Sequence, residues 1–189
     1  VPTVRPEPTG RSVIDDLRAG VRYVREERRL LGLVALATVP GIFFIGPFAV
    51  TIALVVPDLF HAPDRWVGIL WGCFGGGVVT GSILLTLRPV PRRGLAVCIA
   101  NLVGGFVLVA YGLSTSLPVA AVLLVIWGLG ASIFMNYVVA LLQQHAEPRM
   151  IGRVMSMYTL VFFVSMPIGY GQAGLLTDAF GPSVALVAS

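Results

Sequence analysis

Pro118-Val-Ala-Ala-Val-Leu-Leu-Val-Ile-Trp-Gly-Leu-Gly-Ala-Ser-Ile-Phe-Met-Asn-Tyr-Val-Val-Ala-Leu-Leu142 is the stretch that decides the architecture. Its 25 residues include no charged side chain. As a helix rising about 1.5 Å per residue it reaches about 37 Å, enough to cross a hydrocarbon core about 30 Å thick. Such a segment needs no conventional soluble core, because lipid covers its apolar surface.

The rest of the chain repeats the pattern on both sides. Upstream lie uncharged runs over about 30–56, 66–87 and 95–113, and downstream one over about 154–176. Short polar connectors separate them: the acidic 57–64, the basic 88–94, the minimal 114–117 and the basic 145–153. Only 12% of residues are charged, against roughly 25% in a soluble domain. That shortage is concentrated in the runs. The expected fold class is therefore all-α, a polytopic membrane helix bundle with five complete spans. An apolar run from about 182 is too short to cross, and reads as a truncated sixth span. The first run is longer than a bilayer needs, and Pro40-Gly41 and Gly46-Pro47 predict a kink in it.

Ahead of the first span, 1–11 is a Pro-rich linker without the order of a signal peptide. Both ends of the chain thus read as cuts from something longer. Ser12 with Asp15 resembles a capping box and opens an amphipathic helix over 12–29. Val13, Ile14, Leu17, Val21 and Val24 recur at helical spacing, with Arg residues between them, a composition suited to the membrane interface.

All thirteen basic residues are Arg. Nucleic acid would require a continuous basic face with interleaved aromatics. Here the Arg residues mark the ends of apolar runs instead. The leader with its helix, the 88–93 turn and the 149–153 turn hold every Arg except Arg65. Alternating spans put these segments on one side, which the positive-inside rule makes cytoplasmic. The expected location is a multi-pass protein of the cell inner (plasma) membrane with its N-terminal segment cytoplasmic.

Catalytic and metal constellations are absent from the pattern. His61 and His145 fall on opposite sides, and Cys73 and Cys98 match neither a disulfide framework nor a zinc spacing. No cofactor and no enzymatic activity are expected. Gly169-Tyr-Gly-Gln-Ala-Gly174 matches a dinucleotide fingerprint in letters alone, since it lies within a span and lacks the strand before it. Close helix contact through Gly171 and Gly174 is the reading that fits. The same argument applies to Gly72 with Gly76 and Gly77 with Gly81, each pair one turn apart. No complete span carries a charge at its middle, so no proton-relay acid is evident. Asn136 and Tyr137 are polar and mid-span; they face either a neighbouring helix or a wet cavity.

Three stretches carry a family resemblance: 16–30 before the first span, 81–94, and 128–156 with its Glu147-Pro-Arg-Met-Ile-Gly-Arg-Val-Met-Ser156 exit loop. The chain resembles the C-terminal half of a major facilitator superfamily transporter, in the secretion-effector branch of enterobactin exporters and macrolide efflux proteins. The resemblance implies spans seven to eleven and the start of twelve, opposite a missing N-terminal six-helix half that holds the coupling acid. It implies alternating access, with two halves rocking about a central site. Phe44, Phe48, Asn136 and Tyr137 then line a small-molecule substrate cavity. Gly81, Arg88, Arg92, Arg93, Arg149, Gly152 and Arg153 belong to gating loops, although the signature Asp is missing between Gly81 and Arg88. The implied function is proton-coupled efflux of a small hydrophobic or amphiphilic molecule such as a drug or siderophore. An uptake permease and a non-transporting membrane assembly protein are the alternatives.

Overall fold

A computed structural model describes residues 13–46, 48, 49, 52, 62–114 and 116–180, with side chains from 18 to 177 within those segments. The linker 1–11, Ser12, Pro47, the approach of the first span to Val56, His61 and the run from 182 lie outside the described residues. Among the described residues all regular structure is helical: α1 (Val13–Glu26), α2 (Arg28–Leu36), a π-helical turn (Pro40–Ile45), α3 (Arg65–Leu87), α4 (Arg93–Gly112), α5 (Leu117–His145) and α6 (Ile151–Phe180).

Five of these segments are long and apolar enough to cross a membrane: Arg28–Ile45, Arg65–Leu87, Arg93–Gly112, Leu117–His145 and Ile151–Thr177. Their outward faces are apolar, with Leu87, Phe106 and Leu175 each more than 70% exposed. A soluble protein rarely tolerates so much contiguous apolar surface, whereas a bilayer covers it. The chain is an all-α, multi-pass membrane protein.

The amphipathic helix does not run on to residue 29. It stops at Glu26, and Glu27 takes an extended conformation (φ −96°, ψ 100°). The Glu27 carboxylate accepts the Arg29 N–H at 3.5 Å, a long contact in the N-cap position of α2. Arg28 and Arg29 therefore open the first span instead of closing the helix before it. Gly20 lets α1 pack on α6: a Cβ there would sit 3.4 Å from Arg153 Cβ and Met157 Cγ.

Irregularity in the first span begins before Pro40. The Ala37 N–H reaches both Leu33 O (3.2 Å) and Val34 O (3.1 Å), and the Thr38 hydroxyl donates to Ala35 O at 2.7 Å. Pro40 has no N–H to offer residue 36, and the chain then widens into the π-turn Pro40–Ile45.

Two buried clusters fill the bundle. Near the Arg-rich end, Val24, Leu30, Val34, Phe134, Val138, Leu142 and Val154 pack together. Toward the other end, Phe48, Ile52, Leu70, Leu108, Leu124 and Trp127 form the second.

Candidate functional site

Helices α3 and α5 run in the same direction and meet along a seam of small residues. A Cβ on Gly77 would strike Val125 O, with Gly128 Cα at 3.1 Å; one on Gly81 would strike the Ser132 hydroxyl; one on Gly128 would strike Phe74 O. Both helices advance by four residues along this contact, from Gly77 to Gly81 and from Gly128 to Ser132. Residues four apart share a helix face, so each step places a small residue opposite a small residue. Further along, Asn136 Nδ2 donates to Ser82 Oγ at 3.1 Å and to Ser132 O at 2.8 Å.

A second seam joins the first span to α6, again in parallel. A Cβ on Gly41 would meet Ser165 Oγ, and one on Gly46 would meet the Gly169 backbone. A Cβ on Gly169 would press on Gly41 O and Ile42 O. Here the steps differ, five residues on the first span and four on α6. In the π-turn five residues sweep about the rotation that four sweep in an α-helix, because the bonding runs i to i+5. The π-turn thus keeps Gly41 and Gly46 on one face.

Between the seams lies an internal cavity of about 40 Å³, bounded by Phe44, Phe74, Asn101, Trp127 and Phe134 among others. Its wall is mainly apolar, with five aromatic rings from Phe44, Phe74, Trp127, Phe134 and Phe162. Beside it Phe48, 1% exposed, forms a hub that touches four rings, with centroid distances of 4.8 Å to Trp127, 4.9 Å to Trp71, 5.9 Å to Tyr111 and 6.0 Å to Phe74. The contacts to Trp127, Trp71 and Tyr111 are edge-on and the one to Phe74 is tilted; edge-on pairs add to area burial.

The four residues expected to line a cavity are therefore separated. Phe44 does line it, with its ring 6.3 Å from that of Trp127. Phe48 is instead the buried centre of the aromatic cluster. Asn136 joins α3 to α5. Tyr137 is buried near the Arg-rich end, where its hydroxyl accepts the Val90 N–H at 2.7 Å and its ring lies 5.7 Å below the Arg93 guanidinium.

The glycines also divide. Gly77 and Gly81 lie in the first seam, but among the described residues Gly72, Gly76, Gly171 and Gly174 have nothing within 4 Å of a Cβ built on them. Among the described residues these four expected packing positions make no such contact, and Gly169 makes the contact on α6.

At the Arg-rich end, Arg88 ends α3 with its N–H on Leu84 O at 2.8 Å, and Arg92 stands just before α4. Arg149 pairs with Glu147 at 2.7 Å, both solvent-exposed, a geometry worth about 0–1 kcal/mol. Arg153 donates to Met150 Sδ at 3.5 Å, and Gly152 faces open space. A tyrosine serves this second turn as well, since the Glu147 N–H donates to the Tyr23 hydroxyl at 3.1 Å.

Sequence reasoning did not single out Tyr23 or Asn101 for the places they occupy. Asn101 donates to Val97 O at 3.1 Å and borders both the cavity and a groove beside Phe43 and Phe44. A mid-span amide is visible in the sequence, but which way it faces is not.

The model of the transmembrane secretion effector family matches residues 5–189. The chain belongs to that family, within the major facilitator superfamily. This secretion-effector chain is 25% identical over 171 residues to macrolide efflux protein A of Streptococcus pyogenes, covering 89% of the chain and 42% of the relative. It is also 25% identical over 159 residues to macrolide efflux protein A of Enterococcus faecalis, covering 82% and 49%. The chain spans less than half the length of these curated relatives. No solved structure matches it.

Proposed function

We propose that this chain is the C-terminal half of a secondary active exporter, working opposite an N-terminal six-helix half by alternating access. The observation that carries the reading is the secretion-effector family match across residues 5–189. The geometry supports it. Two glycine seams bring parallel helix pairs to backbone contact, and smooth contacts of this sort allow packed helices to rock against each other. The aromatic cavity between them suits a hydrophobic or amphiphilic cargo, the chemical class to which the macrolides named for its relatives belong. At about 40 Å³ it is far smaller than such a cargo, so in this reading the structure has a narrow half-site that widens when the halves separate.

In this reading the Arg-rich end is cytoplasmic, in the inner (plasma) membrane, as the positive-inside rule requires. Arg88, Arg92, Arg93, Arg149 and Arg153 then stand at the gate. No span here carries a mid-membrane acid. Proton coupling, if the exporter uses it, then resides in the partner half.

The test is export by the full-length gene product. Expression in a host stripped of its own efflux pumps is expected to lower accumulation of a labelled macrolide, and inverted vesicles are expected to take it up. Uptake by right-side-out vesicles alone would establish a permease. No movement of any hydrophobic probe across a sealed bilayer would leave an assembly role.

A further inference from the structure

Helix α1 has a surface that takes no part in the two seams or the cavity between them. Arg18, Arg22 and Arg25 are all exposed and spaced by four and three residues, so they share one face. None of the three forms an ion pair or hydrogen bond among the described residues. Together with half-buried Val21 and exposed Glu26 they border an open groove of about 370 Å³ whose walls are mostly apolar. Arg stems cover apolar surface while their guanidinium groups reach toward water. The groove therefore has a hydrocarbon floor beneath a rim of three guanidinium groups and the one Glu26 carboxylate, net positive.

Its position matters as much as its chemistry. Gly20 seats α1 against the first turns of α6, and Glu27 links it directly to the start of the first span at Arg28. The groove thus lies at the edge of the membrane-crossing bundle. On the side of Arg22 it adjoins a cleft bordered by Tyr23, Glu26, Glu147, Arg149 and Arg153, where three Arg outnumber two Glu.

We propose that the Arg18–Arg22–Arg25 groove of α1 binds an anionic phospholipid, its phosphate under the guanidinium groups and its acyl-glycerol portion on the Val21 floor. Charge complementarity selects an anionic headgroup over a zwitterionic one. The apolar floor selects a lipid over free phosphate, which needs polar donors on every side. Arg offers planar, paired N–H donors to phosphate oxygens, which makes the three residues better suited than Lys. This site does not depend on whether the protein exports.

The experiment uses the purified full-length protein in mild detergent, titrated with dioleoylphosphatidylglycerol, dioleoylphosphatidylcholine or glycerol 1-phosphate and followed by native mass spectrometry. The phosphatidylglycerol is expected to bind about tenfold or more tightly than the phosphatidylcholine, with the preference declining as salt rises. Arg18→Gln/Arg22→Gln/Arg25→Gln is expected to abolish most of it, and the corresponding Lys triple to retain part. The control Arg88→Gln/Arg92→Gln, at the same end of the bundle, is expected to keep it. Equal binding of the two lipids overturns the proposal, as does displacement of the phosphatidylglycerol by glycerol 1-phosphate at similar concentration. So does an unchanged Gln triple, or an equal loss in the control. Should the triple fail to fold, judged by its melting in phosphatidylcholine micelles, Arg22→Gln alone is expected to weaken the preference by about threefold or more. No weakening there has the same consequence.

Discussion

The hydroxyl of Tyr137, on α5, accepts the backbone N–H of Val90 at 2.7 Å, tying the basic turn between α3 and α4 to a helix 47 residues further along the chain. Arg93 lies over the same ring. This turn contains no acidic residue, and a neutral hydroxyl with a cation–π contact ties it to α5. Tyr137→Phe is expected to keep the ring contact and lose the hydrogen bond, at about 0.5–1.5 kcal/mol. Hydrogen–deuterium exchange should show faster exchange at Val90 with little change in the body of α5. Arg93→Gln should leave the Val90 amide protected. Unchanged exchange in Tyr137→Phe would show that the hydroxyl does not hold the turn.

Neighbouring glycines on α3 should respond in opposite ways. Gly77→Ala drives a methyl group into Val125 O and is expected to cost about 1–3 kcal/mol as overpacking. Gly76→Ala meets nothing within 4 Å among the described residues and gains helix propensity. Thermal melting in detergent should place Gly77→Ala below the parent and Gly76→Ala at or above it.

The crossing of the first span and α6 gives a parallel contrast. Gly46→Ala and Gly169→Ala each press a methyl group on backbone, which cannot rotate out of the way. Both are expected to lower the melting temperature and transport together, while Gly171→Ala leaves both near the parent value. Normal transport and stability in Gly169→Ala would remove the crossing from the mechanism.

Asn136 separates a packing role from a cargo role. As a bridge to Ser82 its loss in Asn136→Leu should cost about 0.6 kcal/mol, the usual value for a hydrogen bond between membrane helices. Efflux should then decline no more than stability does. A large drop in efflux at unchanged melting temperature would place the amide in contact with cargo.

Phe48 is the most demanding position in the aromatic cluster. Phe48→Ala removes a ring packed against Trp71, Phe74, Tyr111 and Trp127, and should cost about 3–5 kcal/mol. Phe44→Ala opens onto the cavity and should cost less, with its larger effect on the apparent affinity for cargo. The check is a melting curve beside a dose-dependent accumulation assay.

Hydrophobic run length made the spans legible before any coordinates, because the bilayer fixes the length that a helix must reach. Arg placement made the common end of the turns legible for a related reason. Facing was much harder to read. Gly76 and Gly77 look alike in a chain apolar on all sides, where no polar stripe marks the inward face, and only packing distinguishes them. Asn136 and Tyr137 are adjacent mid-span polar residues, yet one bridges helices and the other anchors a turn. The stop at Glu26 is not legible in the sequence, because charge and apolar spacing continue smoothly through it and the Glu27 cap depends on the backbone conformation of one residue. The five-against-four step between Gly41–Gly46 and Ser165–Gly169 needed both partners in view.

That unequal step means that the first span carries one residue of slack. An ordinary α-helix with four residues between the same two contacts would mate with α6 equally well, so the π-turn amounts to an insertion that the crossing has absorbed. Deleting Phe43, whose ring is exposed, should let the segment relax to regular α-helix with both glycines still facing α6. The same deletion in α5, where the steps already match, would throw every later residue about 100° out of phase. The chain therefore has a place where its length can change by one residue without loss of registry, and that place lies beside the cavity.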